Sequence, residues 1–229
     1  MKTCVVLSGA GISADSGLKT FRDDGGLWKS YRVEQVASAE AFARTPQLVI
    51  DFYNERRRAM EQAQPNAAHL ALVELEKAYR VVIVTQNVDN LHERAGSRRV
   101  VHLHGELSKL RSTHDENYVV DWQGDQHIDD LDPNGYPLRP HIVWFGESVP
   151  LLAEAQSIVT EADVMLIVGT SLQVYPAAGL VNYAPAHAAI YLIDPHPARI
   201  SGVEVVEETA AVGVPRVVRT LLDLADRVP

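Results

Sequence analysis

Cysteine is nearly missing from this chain, since one residue in 229, Cys4, carries a thiol. A single thiol excludes an internal disulfide framework and any metal site built on two or more cysteines. Long apolar runs are missing as well. None approaches the length of about 18 residues that a membrane-spanning helix needs. Basic residues are in deficit, 21 against 30 acidic ones, which leaves a formal charge of −9. Such a balance makes a poor clamp for nucleic-acid phosphates, but it suits a basic partner such as a lysine-containing peptide. What is present is ordinary for a folded protein: 46% of residues are hydrophobic and 22% charged, so wholesale disorder is excluded. Met1-Lys2-Thr3 leads straight into an apolar run, so no leader segment is expected and the cytoplasm is the expected location.

Short β-branched runs alternate with longer helical patterns. Cys4–Leu7, Val81–Val84, Val100–Leu103, Val164–Val168 and Ile190–Ile193 read as strands buried on both faces. Pro46–Gln64, Asn66–Tyr79, Pro150–Glu161 and Pro215–Arg227 show helical periodicity, each opening on proline or asparagine. Strand–helix alternation predicts an α/β fold, a parallel sheet with helices on both faces. Two stretches break the rhythm. Asp23–Thr45 reads as a loop followed by short helices. Ser108–Pro140 is polar, with Asp129–Gly135 as its turn-rich centre. Together they predict two insertions that pack as a small lobe over the sheet. No internal repeat or low-complexity segment is present.

The first strand runs into Ser8-Gly9-Ala10-Gly11-Ile12-Ser13-Ala14-Asp15-Ser16-Gly17. Gly9, Gly11 and Ala14 satisfy G-x-G-x-x-[GA] at an expected strand-to-helix junction, where backbone amides and a helix N-terminus can receive a pyrophosphate. A tight turn that merely needs glycine is the plainer reading, but the flanking strand and helix favour a dinucleotide. An ordinary hydride-transfer enzyme is disfavoured, because no acid at the end of a second strand follows about 20 residues on. Such an acid comes later, at Asp194, and a second glycine turn, Gly169-Thr170-Ser171, follows another strand.

Two further strand ends are polar. Gln86, Asn87, Asp89 and Asn90 crowd the turn after Val81–Val84, more than the one residue that a helix cap requires. Val100–Leu103 ends on His104-Gly105, with His102 two residues earlier on the same side. Either histidine is a candidate base or a satisfied core side chain.

Taken together these residues resemble the sirtuin family of NAD-dependent protein-lysine deacylases. Gly9-Ala10-Gly11-Ile12-Ser13, Gly17 and Phe21-Arg22 are similar to its first signature, and Thr85-Gln86-Asn87-Val88-Asp89 to its second. His104-Gly105 resembles its catalytic histidine motif, Val143-Trp144-Phe145-Gly146-Glu147 its peptide-binding segment, and Gly169-Thr170-Ser171 its third cofactor turn. The resemblance implies a large Rossmann-type lobe (about 1–28, 66–107 and 141–229) and a small lobe (about 29–65 and 108–140), with NAD and an acyl-lysine meeting between them. It implies transfer of the acyl group to ADP-ribose, releasing nicotinamide, O-acyl-ADP-ribose and free lysine. His104 is then the general base on the ribose hydroxyls, a role suited to a group titrating near neutrality. Asn87 orders ribose and water, and Asp89 holds the nicotinamide carboxamide. Phe21 shields the reactive carbon, and Thr20, Arg22 and Trp28 belong to the cofactor loop. Gln86, Val88 and Ala210 are further cofactor contacts, and Asp194 takes the adenosine ribose. The expected partner is an acyl-lysine peptide or protein, with no nucleic acid and no membrane, and the expected state is a monomer. Protein ADP-ribosyl transfer and non-catalytic NAD binding are the alternatives, although the latter has no need of a base.

Family members usually hold a structural zinc on four cysteines of the small lobe, and Ser108–Pro140 contains none. Ser112 stands where the first would be, and the spacing of His114, Asp115, Asp121 and His127 is too irregular for a replacement site. No metal is expected. The lobe is then expected to form a small core from Tyr118, Val119, Val120, Trp122, Ile128 and Tyr136.

On a helical wheel, Val49, Phe52, Tyr53, Met60 and Ala63 form one apolar stripe, with Arg56 in its middle. An arginine there either snorkels to solvent or aims a guanidinium into a pocket to take a carboxylate. Tyr53 and Arg56 share a face at i and i+3. Phe52-Tyr53-Asn54-Glu55-Arg56 resembles the Tyr-x-x-Arg of sirtuins that remove succinyl, malonyl and glutaryl groups. Dual specificity, acidic acyl groups together with acetyl, is what this implies.

Overall fold

The alternation of inward and outward apolar residues along each central strand decides the architecture of the computed structural model, which describes residues 1–20, 32–198 and 200–226. Strand β1 (Thr3–Ser8) is buried along its whole length because it packs on both faces. Cys4 and Val6 face one layer while Val5 and Leu7 face the other. It pairs in parallel with β2 (Arg80–Thr85) on one side and β7 (Val164–Val168) on the other. β3 (Val100–His102), β8 (Ala189–Ile193) and β9 (Glu204–Val206) complete a six-stranded parallel sheet ordered β3-β2-β1-β7-β8-β9. The predicted parallel sheet is therefore present, with one more strand at the edge than the sequence reading contained.

Helices α4 (Ala67–Leu75) and α7 (Ala210–Ala225) cover one face. Helix α6 (Leu152–Val159) and a 3₁₀ segment, Ala177–Tyr183, cover the other, and the short α5 (Leu91–Ala95) follows the turn after β2. Asn66 caps α4 as expected, its side chain accepting from the Ala68 amide while His69 Nδ1 accepts from the Asn66 amide. Two expectations need correction. Helix α7 begins at Ala210, with Pro215 inside it and not at its start. Burial of Ala210, Val214, Val217, Val218 and Leu221 against the sheet outweighs the local cost of the proline. The turn after β1 leads into a seven-residue 3₁₀ segment, Ala10–Ser16, and not into an α-helix.

Helices α1 (Val33–Val36), α2 (Ala39–Arg44) and α3 (Pro46–Gln62) pack with a three-stranded antiparallel sheet. That sheet comprises β4 (Gly105–Ser112), β5 (Val119–Asp121) and β6 (Leu138–Ile142) in the order β5-β4-β6. The expected core of this lobe is also corrected. Ile128 and Tyr136 are 53% and 40% exposed, and Tyr118, Val119, Val120 and Trp122 are only half-buried or thereabouts. The apolar contacts come from Val49, Phe52, Tyr53 and Met60 of α3 against Leu107, Ile142 and Trp144.

Polar contacts do the rest. Arg57, fully buried, donates to the Leu107 carbonyl at 2.8 Å, to Asn54 Oδ1 at 2.7 Å and to the Gly124 carbonyl at 3.3 Å. Asn54 and Gln126 exchange side-chain-to-backbone bonds at 2.9 and 2.8 Å. Ser112 donates to Asp132 at 2.6 Å while accepting the amides of His114 and Asp115, and Asp132 accepts those of Asn134 and Tyr136.

Candidate active site

The chain order reverses between β1 and β7, and in a parallel sheet the crevice at such a switch point is where ligands bind. The two glycine turns leave the sheet there and press against each other. A Cβ on Gly11 would stand 2.7 Å from Gly169 Cα, so neither position tolerates a side chain without displacing backbone. The Gly9 and Gly11 amides donate across to the Val168 and Gly169 carbonyls, both at 2.9 Å. The glycines therefore create a bare wall by close approach, and these two amides are not left for a phosphate. Gln86 donates to Thr170 Oγ1 at 3.1 Å and ties the next strand end to the same wall.

Asn87 follows, donating to the Gly9 carbonyl at 3.1 Å and to Ser13 Oγ at 3.3 Å. Asp89 is buried behind it. It accepts from the Ser13 hydroxyl and the Leu91 amide, both at 3.1 Å. Burial raises its pKa, against the two hydrogen bonds that favour the anion. Asp89 braces the turn from behind, whereas Gln86, Asn87 and Val88 line the cavity.

The two histidines part company in three dimensions. His104 Nδ1 lies 3.0 Å from the Gln86 carbonyl, which can only accept, so Nδ1 carries the proton and Nε2 keeps its lone pair. Burial lowers its pKa, with the Gln86 carbonyl partly offsetting, so the ring is neutral at pH 7. His102 Nδ1 meets the Asn87 carbonyl at 3.0 Å and Nε2 meets Glu93 at 2.7 Å. Both of its nitrogens face acceptors, which is the pattern of an imidazolium. Burial opposes that charge, yet the Glu93 carboxylate prevails and raises its pKa. Only His104 lines the cavity. Gly105 follows it at φ +81°, where a Cβ would run into the His141 carbonyl, so glycine is required after the histidine.

One cavity of about 880 Å³ joins these groups to the small lobe. Phe52, Tyr53 and Arg56 of α3 line it together with Trp144. The Arg56 guanidinium lies 5.7 Å from the Phe52 ring centre, and burial lowers its pKa, with Tyr53 the foremost group favouring the cation. Val143–Glu147 runs along one side. Its Val143, Trp144 and Phe145 amides are committed to the His104 carbonyl, Glu147 Oε2 and the Ala37 carbonyl. Glu147 pairs with Arg139 and Arg111, so its carboxylate supports the segment.

Of the residues singled out in the sequence, Gly9, Ala10, Gly11, Thr20, Gln86–Val88, His104, Val143–Glu147, Gly169–Ser171, Asp194, Tyr53 and Arg56 line this cavity. Ile12 and Ser13 are buried beneath it, and Gly17 ends the 3₁₀ segment in the left-handed region. Ala210 is buried directly after Thr209, which does line the cavity. Phe21, Arg22 and Trp28 lie outside the described residues. Sequence reasoning missed Tyr175, His196 and Thr209 in the wall, and Arg139 behind Trp144. Only the proline after Tyr175 could have hinted at the first, and nothing in Leu138-Arg139-Pro140 signals the last.

Comparison with known proteins bears on this arrangement. The family model described as "Sir2 family" matches residues 9–176. An "NAD-dependent protein deacylase" of Aggregatibacter actinomycetemcomitans is 61% identical over 194 residues, covering 85% of this chain and 93% of that protein. One from Helicobacter pylori (strain J99) is 52% identical over 230 residues, covering 99% and 98%. Among solved structures, a Sir2 homologue in complex with NAD superposes with a TM-score of 0.88 at 40% identity, covering 98% of this chain and 91% of that one. A complex of a Sir2 protein with a deacetylated p53 peptide and 3′-O-acetyl ADP-ribose gives 0.81 at 29% identity, covering 97% and 93%. With the glycine turns, the polar strand ends and the histidine motif in one crevice and the match running through them, the chain belongs to the Sir2 family.

Proposed function

We propose that this protein is an NAD-dependent protein-lysine deacylase that removes succinyl and malonyl groups as well as acetyl groups. The observation that carries this reading is that one cavity is lined both by the glycine turns and His104 and by Tyr53 and Arg56. The residues fit NAD: backbone without side chains faces the crevice, and Asp194 ends β8 with a carboxylate suited to a ribose diol. When bound, NAD supplies the ribosyl carbon that takes up the acyl oxygen as nicotinamide departs. The substrate peptide lies along Val143–Glu147, and its acyl-lysine enters between Val88 and Trp144.

His104 Nε2 removes a proton from a ribose hydroxyl, and the Gln86 carbonyl holds the ring in the tautomer that allows this. Asn87, fixed by the Gly9 carbonyl and Ser13, orders the ribose and water, while Asp89 keeps that turn rigid. The acyl–lysine C–N bond breaks with addition of water, and the products are free lysine, nicotinamide and O-acyl-ADP-ribose. Arg56 and Tyr53 meet the carboxylate of an acidic acyl group, which an apolar pocket alone would penalise.

We divide the chain into a large lobe (about 1–28, 66–107 and 141–229) and a small lobe (about 29–65 and 108–140), acting in the cytoplasm as a monomer. The small lobe holds together without zinc. The one thiol, Cys4, is buried in β1 of the large sheet, and in the small lobe Ser112, standing where the resemblance puts the first cysteine, donates instead to Asp132. Incubation of the protein and NAD with acetyl-, succinyl- and malonyl-lysine peptides tests the whole reading. Equimolar lysine, nicotinamide and O-acyl-ADP-ribose are expected. Nicotinamide release with ADP-ribose transferred to protein, and no lysine freed, would replace it with ADP-ribosyl transfer.

A further inference from the structure

Beside Tyr53 in the cavity wall stands a stack of buried groups that neither the glycine crevice nor His104 requires. Trp144 is 2% exposed, and its indole Nε1–H donates to the Tyr53 hydroxyl at 2.9 Å. An indole nitrogen can only donate, so this bond occupies a lone pair of the phenol oxygen and leaves the phenol proton for another acceptor. Tyr53 is among the residues lining the cavity, so that proton is available to an acceptor bound there. Burial pushes the Tyr53 phenol up to about 12, so it keeps its proton throughout the neutral range.

The indole is itself gripped from behind. The Arg139 guanidinium lies over the Trp144 ring with Cζ 3.3 Å from its centre. Glu147 holds the guanidinium through two bonds of 2.6 and 3.1 Å, and the Ile142 carbonyl accepts a third at 2.9 Å. Glu147 Oε2 also accepts the Trp144 amide at 2.8 Å, so backbone and ring are fixed by the same carboxylate. A cation against the ring face draws electron density from the indole and strengthens its N–H as a donor. A hydroxyl that accepts from such a donor becomes a better donor in turn.

We propose that Trp144 is a positioning residue for acyl selection, fixing the Tyr53 hydroxyl as a donor to an acyl-chain carboxylate, with Arg139 and Glu147 holding the indole in register. The proposal rests on the acidic-acyl reading above and adds to it the element that orients the phenol. An acetyl group presents no carboxylate, so the orientation of this hydroxyl matters chiefly for acidic chains.

The test is a mutant cycle over Trp144→Phe, Tyr53→Phe and the double variant, each assayed on acetyl- and succinyl-lysine peptides. Phenylalanine keeps an aromatic ring at Trp144 but removes the N–H. The ratio of succinyl to acetyl kcat/KM is expected to fall roughly 3–10-fold in Trp144→Phe, the effect of one neutral hydrogen bond. The change is expected in the succinyl KM more than in kcat, because the carboxylate is remote from the reacting carbon. In the Tyr53→Phe background the same substitution is expected to leave the ratio where it was. If Trp144→Phe lowers the ratio equally with and without the Tyr53 hydroxyl, or slows both acyl groups alike, the proposal is overturned. Should that variant fail to fold, Arg139→Lys keeps a charge for Glu147 but not the flat stack. It is expected to shift the ratio in the same direction, again only when the Tyr53 hydroxyl is present, and a shift independent of that hydroxyl overturns the proposal. A Tyr53→Phe enzyme with an unaltered ratio would overturn the acidic-acyl reading itself.

Discussion

Arg57→Met is the sharpest probe of the proposal that the small lobe stands without a metal. Arg57 is fully buried and, among the described residues, has no carboxylate within ion-pair distance; its charge is met by the Leu107 carbonyl, Asn54 Oδ1 and, at 3.3 Å, the Gly124 carbonyl. Burial lowers its pKa, with Asp125 and Glu61 favouring the cation from further off. Methionine preserves the stem packing and strips the donors. Two good bonds from a charged donor are worth about 3–6 kcal/mol gross, and release from guanidinium desolvation returns part of that. A net loss of about 2–4 kcal/mol is expected, which for a chain of this size lowers Tm by roughly 5–15 °C. Arg58→Met is the control, because Arg58 pairs with Asp125 at the surface, where such pairs contribute little. Differential scanning calorimetry of the three proteins, each with chelator and with added zinc, gives the answer. A variant that melts with the parent would refute the polar anchor. A parent protein that loses stability on chelation would refute the metal-free lobe.

His104→Ala is expected to lower kcat/KM by at least 10²–10⁴-fold for every acyl group with its melting curve intact, as loss of a general base does. Because burial holds the His104 pKa down, the acid limb of kcat/KM is expected below the ordinary histidine range; a limb above 6.5 would point to another base. His69 is held near 4 by burial and is neutral in the fold, so its contribution is complete above about 6.5 and is lost as pH falls towards 4. That amounts to roughly 2 kcal/mol of stability by pH 5, and His69→Gln is expected to flatten the fall seen in denaturant melts between pH 7 and 5. The His102–Glu93 pair works the other way on acidification to about 5, so the measurement should compare the His69 variant with its parent and not absolute values. Arg56→Met is expected to lower the succinyl-to-acetyl kcat/KM ratio by 30-fold to several thousandfold, the cost of about 2–5 kcal/mol for a buried carboxylate without its partner. Equal losses on both peptides would mean that Arg56 supports the lobe and does not read the acyl group.

The large sheet was legible because its strands are buried on both faces and therefore write unbroken apolar runs, as Cys4–Leu7 and Val164–Val168 do. Edge strand β9 has only Val206 buried, and three residues with one apolar anchor leave no pattern to read. Helix α7 was misjudged at its start because a proline usually marks one, whereas here five buried side chains carry the helix past Pro215. The glycine turns and the histidine motif were legible as local chemistry. Their use was less so: the Gly9 and Gly11 amides cross to the neighbouring turn, and Asp89 faces inward. The Trp144–Tyr53 bond joins residues 91 apart, and no local pattern encodes such a meeting.

Helix α3 shows why the unread contacts matter for the readable ones. Tyr53 and Arg56 form one i, i+3 pair and Asn54 and Arg57 the next, rotated from it by about 100°. The first pair lines the cavity, and the second is buried against Leu107, Gly124 and Gln126. A rigid helix cannot move one pair without the other. The buried pair therefore sets how far the phenol and guanidinium project into the cavity, and Trp144, packed beside the phenol, holds its hydroxyl. A carboxylate held by donors on α3, one of them a hydroxyl oriented by Trp144, is sensitive to shifts of a fraction of an ångström. On the proposed acidic-acyl reading, acyl selection is expected to depend on a polar anchor that stands one residue away along the same helix. A weakened anchor is expected to show first in the succinyl reaction, before the glycine crevice and His104 are disturbed at all.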